Sequence, residues 1–241
     1  MITTMRQRLL TLLFALIGLT SAWSTDYDLW ICGTRVTSDN ATTSLSSING
    51  VGCGHVYYDA SANTLTLVNV YIAIPSTYNA VPIYVKSGCS GLKIQVGGIC
   101  TIDHGGSIAM LMESCGAVEI TGGGTLIVKS VDGYDIFFTG SQLSITGGTT
   151  VHLLGGGIDN DGNNDEQLVV DSANLFVRRN NPSLSPIYMH ELVLRNAYLD
   201  SPAWPTYEWD GTELTNGSQW WYGASISRPG RPRREARVAV T

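Results

Sequence analysis

Charge is scarce in this chain: Asp, Glu, Lys and Arg together make up 14% of its 241 residues. Clear helical signals are equally few, which sets aside helix-bundle architectures. Frequent Gly, Thr, Ser and Val instead suit an all-β fold with many tight corners. Histidine is rarer still, with four residues (His55, His104, His152, His190), none at metal-ligand spacing from another. Neither a G-x-S-x-G elbow nor a zinc signature occurs, so each histidine reads as a surface or satisfied side chain. Only one long apolar run is present, Leu9–Leu19, and its 11 residues are too few to span a bilayer. With Arg6 and Arg8 before it and Ala22-Trp23-Ser24 after it, the segment 1–24 reads as an export signal cut after Ser24. No cysteine lies near the cut, which argues against a lipid anchor, and no second run of spanning length follows, so no transmembrane anchor is expected. The mature protein is expected to be secreted, with residues 25–227 forming one domain.

Basic residues are also few in that body. Between Thr25 and Ser227 there are 7 basic and 19 acidic side chains, a net of −12. Nucleic-acid binding needs a basic footprint, so this balance excludes it as the expected partner. Five arginines crowd into residues 228–241 (Arg228, Arg231, Arg233, Arg234, Arg237), a Pro-containing stretch with little to bury that reads as a disordered basic tail.

What the chain has in abundance is repetition. An apolar-x-apolar phrase recurs as Leu65-Thr66-Leu67, Leu92-Lys93-Ile94, Val118-Glu119-Ile120, Leu143-Ser144-Ile145, Leu168-Val169-Val170 and Leu192-Val193-Leu194, at steps of 27, 26, 25, 25 and 24 residues. A corner follows each phrase, often Gly-Gly as in Gly97-Gly98 and Gly147-Gly148. A second alternating strand comes next: Val70/Ile72, Cys100/Ile102, Leu126/Val128, Val151/Leu153, Leu175/Val177 and Ala197/Leu199. A looser third strand is read at Ile83-Tyr84-Val85, Ile108-Ala109-Met110, Ile136-Phe137-Phe138 and Ile187-Tyr188-Met189, and is almost absent around Ile158. Three short strands per turn describe a triangular coil that buries its apolar face only by stacking. The expected fold is therefore all-β, a right-handed parallel β-helix of about six coils of about 25 residues. Gly-Gly hairpins in a sandwich are the alternative, but a sandwich gives no reason for a constant three-strand step. Open coil ends need covers. Asp28–Ile31, Arg35–Thr37 and a short segment from Ala41 to Ser47 N-capped by Asn40 would cover the first. An aromatic-rich segment holding Trp204, Tyr207, Trp209, Trp220, Trp221 and Tyr222 would cover the last, and its exposed rings could also meet a carbohydrate.

Five cysteines in an exported chain permit disulfides. Cys89 and Cys115 stand three residues before Leu92 and Val118, at one position on successive coils about 4.8 Å apart, which suits a bridge. Cys32 and Cys53 flank the capping segment and could close it. Cys100 occupies an inward position and reads as a buried thiol.

The opening Tyr27-Asp28-Leu29-Trp30, Gly33-Thr34-Arg35-Val36-Thr37-Ser38 and Tyr58-Asp59 leading into Asn63-Thr64-Leu65-Thr66-Leu67 resemble the first module of exported bacterial β-helix proteins. Leu143-Ser-Ile-Thr-Gly-Gly-Thr-Thr-Val and Gly157-Ile-Asp-Asn-Asp-Gly resemble the repeat and acidic turn of the clostridial carbohydrate-binding β-helix family. The resemblance covers about Tyr27 to Leu199. It implies polysaccharide, acidic or neutral, as the partner, calcium held in acidic turns, and a fold similar to pectate lyases, with Asp159 and Asp161 at the matching turn.

Read from its own residues, Asp159, Asp161, Asn163 and Asp165 form the densest oxygen cluster and could supply several of the six to eight ligands that calcium takes. The same residues also suit a solvated turn. On the second strand the outward ladder is Tyr71, Thr101, Ile127, His152, Phe176 and Tyr198. The rings of His152, Phe176 and Tyr198 would make a flat platform on which a polysaccharide stacks, unless the Trp-rich end covers them. On the first strand the outward ladder Thr66, Lys93, Glu119, Ser144 is polar, with Lys93 and Glu119 placed to pair. Catalysis would need more. A lyase needs a Lys or Arg base near calcium, for which Arg178 and Arg179 are the candidates, and a hydrolase needs two carboxylates, for which Asp132 and Asp135 could serve. The reading leans to a non-catalytic binder, with a structural or adhesive surface rod as alternative and a calcium-dependent lyase as the second alternative.

Overall fold

The computed structural model describes residues 24–41, 45–162, 165–180 and 185–199, together with strand residues 208–209, 214–215 and 223–227. The segments 1–23 and 228–241, Asn163, and the rings Trp204, Tyr207, Trp220, Trp221 and Tyr222 lie outside the described residues, as does the side chain of Trp209.

The chain enters through β1 (Asp26–Ile31), β2 (Thr34–Thr37), β3 (Val51–Asp59) and the long β4 (Thr64–Ile74). Coils then follow as triplets: β5 (Ile83–Val85), β6 (Leu92–Gly97) and β7 (Ile99–His104); β8 (Ile108–Glu113), β9 (Ala117–Thr121) and β10 (Thr125–Ser130); β11 (Tyr134–Thr139), β12 (Gln142–Ile145) and β13 (Thr150–Leu153); β14 (Ile158–Asp159), β15 (Gln167–Asp171) and β16 (Asn174–Arg178). The last coil is partial, with β17 (Glu191–Arg195) and β18 (Tyr198–Leu199). Beyond it come β19 (Glu208–Trp209), β20 (Leu214–Thr215) and β21 (Gly223–Ser227). Stacked in parallel, these strands make a β-solenoid of about five turns, the parallel β-helix that the repeat implied.

Face one runs β4-β6-β9-β12-β15-β17, face two β4-β7-β10-β13-β16-β21-β18, and face three β2-β1-β5-β8-β11-β14. The inward ladders are apolar because each coil contributes the same alternation. Leu92, Val118, Leu143 and Leu168 are fully buried on face one, as are Cys100, Leu126, Val151 and Leu175 on face two. Each large aliphatic side chain so buried is worth about 1.5–3 kcal/mol, and stacking is what buries it.

The corner between faces one and two has at least one left-handed residue per coil, and two at Gly122-Gly123 and Gly147-Gly148. Gly98 holds φ 67, and a Cβ there would stand 2.0 Å from Asn69 Oδ1. Coils without glycine at this corner use Asn69, Ser172 and Asn196, all at φ between 46 and 51. That explains how the repeat passes Asp171-Ser172-Ala173 without losing step.

Several expected details are corrected. Leu65 stacks on Ile94 and not on Leu92, so the first coil step is two residues longer than the phrase spacing suggested. On face three Ile83 meets Met110, which in turn meets Ile136, so the phase read at Ile108 is two residues early. Ile108-Ala109-Met110-Leu111-Met112 is apolar throughout and offers no alternation to fix a phase. Asn40 is engaged at the end of β2, and residues 42–44 of the segment it was expected to cap lie outside the described residues. Its Oδ1 accepts from the Thr37 N–H at 2.8 Å and its Nδ2 donates to the Arg35 carbonyl, closing the end of β2. The cap itself is β1 antiparallel to β5, extending face three, and β3 antiparallel to β4.

Neither expected disulfide is formed, and all five cysteines are free thiols. Cys115 does lie over Cys89, as the stacking of Gly116 on Ser90 shows. Burial pushes the Cys115 thiol up to about 12 and that of Cys89 upward, so the thiolate that disulfide chemistry requires is suppressed at both. Cys32 is buried against Gly50, whereas Cys53 is exposed and its thiol approaches the Asn69 carbonyl at 3.9 Å.

Candidate functional site

Face one carries the groove. Its inward residues (Leu143, Leu168, Leu192) fix the strands, and the alternation then turns every second side chain outward. Pairing places Lys93 beside Glu119, Glu119 beside Ser144, Ser144 beside Val169 and Val169 beside Val193, one step per strand from β6 to β17. Glu119, Gln142, Ser144, Thr146, Asp171 and Arg195 line a shallow cavity of about 340 Å³ along this ladder. That volume lies at the low end for small-ligand sites.

The groove is internally organised. Gln142 Nε2 donates to Ser144 Oγ at 2.6 Å, and Thr146 Oγ1 donates to Glu119 Oε1 at 2.6 Å. The other oxygen of Glu119 lies 4.0 Å from Lys93 Nζ, the neighbourly pair that the ladder implied. Asp171 accepts from the Ser172 hydroxyl and the Asn196 amide, and its strand partner is Arg195. Val169, only 3% exposed yet outside the main core, forms an apolar floor between these polar groups. Hydroxyl, amide, carboxylate and guanidinium groups over an apolar floor are a set that hydrogen-bonds a polyhydroxylated ligand while meeting its C–H surface.

Sequence reasoning found the polar ladder at Lys93, Glu119 and Ser144 but missed Gln142, Thr146, Asp171 and Arg195. The signal was present. Gln142 and Thr146 flank Ser144 by two residues, and Asp171 and Arg195 continue the flanking row on the next strands.

The ring platform on face two is arranged differently from the expectation. His152 stacks on Phe176 with centroids 4.8 Å apart and planes 12° from parallel. Rings that close and that parallel cover each other's faces rather than lying flat side by side, so a sugar outside meets mainly edges. In strand register Tyr198, whose side chain lies outside the described residues, does not follow Phe176. β21 inserts antiparallel between β16 and β18, placing Ser225 beside Phe176 and Ser227 beside Tyr198.

A second ring ladder, on face three, was not read from the sequence. Trp30 stacks on Tyr84 at 5.1 Å, with Arg35 over the Trp30 ring and Lys86 over the Tyr84 ring. Tyr84 also donates to Glu113, so these rings have their faces and hydroxyl engaged within the protein. The outward middle residue of Ile83-Tyr84-Val85, together with Trp30, was the signal.

At the acidic turn, Asp159 Oδ2 lies 3.3 Å from Arg179 Nη2, and its Oδ1 accepts from the Asn160 N–H. Arg179 is 4% exposed, donates to the Ser185 carbonyl and lies over the Tyr134 ring. A carboxylate already facing a buried guanidinium does not fit a divalent cation. Asp161 and Asp165 are exposed, while Glu166 is buried and accepts from the Asn160 amide at 3.2 Å. Among the described residues no group of three or more His, Cys, Asp or Glu side chains converges as metal ligands.

Of the candidate catalytic residues, Asp135 and Arg179 are spent on structure, whereas Asp132 and Arg178 are exposed. Asp135 is fully buried and accepts from the Ser130 N–H and hydroxyl and from the Gly155 and Gly157 N–H groups at 2.7–3.1 Å. It cannot act across a sugar bond with Asp132. Arg179, held as described, is no free base. His104 lies beside Ser130 on neighbouring strands, but its two ring nitrogens have no partner and Asp135 bonds the serine, so no relay connects the three.

Comparison with protein-family models, with curated proteins and with solved structures yields no match. Among the described residues, no helix is long and apolar enough to cross a membrane.

Proposed function

We propose that this protein is a secreted, non-catalytic polysaccharide-binding β-helix whose site is the groove on face one. The observation that carries this reading is the row of hydrogen-bonding side chains, repeated on successive strands along an open cavity of about 340 Å³. Two of the candidates for acid or base chemistry elsewhere, Asp135 and Arg179, are buried and internally bonded. Export rests on the leader-like segment 1–24, and calcium enters no step of the binding.

Affinity electrophoresis through gels containing soluble polysaccharides tests the reading, run with added calcium and with chelator. Retardation by at least one polysaccharide is expected, alike in both conditions, and reduced about tenfold or more in Gln142→Ala/Asp171→Ala, which loses two groove contacts. A calcium-dependent retardation abolished by Asp161→Ala would move the site to the acidic turn. Retention of none would leave a structural surface rod, and release of an ultraviolet-absorbing unsaturated product would make the protein a lyase.

A further inference from the structure

We infer that the groove takes a linear, extended, neutral polysaccharide laid along the solenoid axis, one sugar residue to each coil. This rests on the binding reading above and adds the shape, direction and charge of the ligand.

The first ground is the repeat. Outward positions on β6, β9, β12, β15 and β17, neighbouring strands of one sheet, recur every ~4.8 Å, and each strand places at least one polar side chain among them. The lining runs from Leu92 on β6 to Arg195 on β17, a length of about 19 Å. A ribbon-like pyranose chain advances by one ring and one bridging oxygen per residue, which is close to the coil step. A coiled or heavily branched glycan does not keep that step. Because both lattices are regular, a sugar seated at Ser144 brings its neighbours to Glu119 and Val169 without a change of conformation.

The second ground is the character of the rungs. Gln142 and Thr146 stand half-buried across the middle of the groove, with Ser144 and Val169 beneath them at 7% and 3% exposure. Gln142 and Thr146 offer hydrogen bonds to hydroxyls, and none of the four is charged.

The third ground is electrostatic. The ionisable groups at the groove are Lys93, Glu119, Asp171, Glu191 and Arg195, and Lys93 already faces Glu119 at 4.0 Å. One cation against two other carboxylates remains, on a body whose net charge is −12. A polyuronate would bring a carboxylate to every coil and meet repulsion at most of them. A neutral chain meets none. Arg195, at the end of the row, then acts as a terminal hydrogen-bond donor.

The experiment is isothermal titration of the full chain with β-1,4-linked gluco-, xylo- and manno-oligosaccharides from the disaccharide to the hexasaccharide, with oligogalacturonates of the same lengths alongside. For at least one neutral series, affinity is expected to rise about threefold to tenfold per added sugar, one net hydrogen bond per rung, and to level off at about five sugars. Gln142→Ala is expected to weaken short and long oligomers alike. Arg195→Ala is expected to weaken only those long enough to reach the end of the groove. Affinity independent of length, or equal sensitivity of all lengths to Arg195→Ala, would overturn the one-sugar-per-coil arrangement while leaving polysaccharide binding in place. Tighter binding of oligogalacturonates would overturn the neutral ligand. Binding of no oligosaccharide, in a protein that also fails to be retarded by any polysaccharide, would overturn the parent reading itself.

Discussion

His104 is a residue whose burial works against it. It is 6% exposed at the end of β7, stacked between Ile74 and Ser130, and both its ring nitrogens lack a partner. Burial holds its proton affinity below the ordinary histidine value, with the neighbouring Asp103 opposing only in part. The folded protein therefore binds fewer protons at this site than the unfolded chain, whose histidine titrates near pH 6.5. The associated stability is fully present above about pH 6.5 and is lost as the pH falls below it. Asp135 and Asp159, whose burial raises their carboxyl groups, act with the opposite sign at lower pH. The histidine contribution is thus best read as a difference between two proteins. His104→Leu removes two unsatisfied polar atoms and is expected to be more stable by about 1–3 kcal/mol at pH 7. Urea unfolding should show that gap widening from about pH 7 to about pH 5. A gap that stays constant would mean the imidazole finds a partner in solution.

At the scale of the strand and corner, what was legible in the sequence depended on whether a position had one physical solution or two. Leu92, Val118 and Leu143 are each followed by a polar residue and then an apolar one, so their step could be read directly, and their register holds. Around Met110 every side chain is apolar, so the spacing could not tell inward from outward. The orientation of the His152 and Phe176 rings was hidden for a different reason. Register places two rings one step apart, but only side-chain packing decides whether they lie flat or stack. The groove was half legible, since Ser144 marks its centre while Asp171 and Arg195 belong to it only once β15 and β17 are laid side by side. The β4–β6 offset was invisible because Asn69 turns the corner without a glycine.

Corners of this kind make a direct comparison possible. Ser172 holds φ 51, which costs a residue with a Cβ about 1–2 kcal/mol, while its N–H donates to the Arg195 carbonyl at 2.9 Å and survives substitution. Ser172→Gly is expected to stabilise by about 0.5–1 kcal/mol after the glycine's extra unfolded-state entropy is subtracted. Gly98→Ala, with φ 67 and a Cβ that would meet the Asn69 side chain, whose Oδ1 accepts from the Ile99 N–H, is expected to lose about 2 kcal/mol or more. Thermal midpoints should move in opposite directions. Loss of stability in Ser172→Gly would show that the hydroxyl bond to Asp171 outweighs the backbone strain.

For the whole molecule, the consequence of stacking is that stability is shared between neighbours and the ends are exposed. Each coil is held by the one before and the one after, so a strand edge left open invites pairing with another copy. On face two that edge belongs to β16, and β21 covers it by running antiparallel, from Ile226 opposite Leu175 to Gly223 opposite Arg178. Ile226 is fully buried and is paired with Leu199 of β18 as well as Leu175 of β16, so one residue sits between both neighbouring strands. Ile226→Asp places a charge in that contact without a partner, and release of β21 is far less costly than burying the carboxylate. The body of the solenoid has no need of β21 for its own coils and is expected to stay folded, with its far-ultraviolet spectrum little changed. The freed edge of β16 is expected to drive concentration-dependent association, visible by size-exclusion chromatography with light scattering. Ile226→Val, which keeps the apolar contact, should lose about 0.5–1.5 kcal/mol and remain as dispersed as the parent. If Ile226→Asp shows no more association than Ile226→Val, the strand is not what keeps the solenoid from growing onto itself, and that protection must come from elsewhere along the edge.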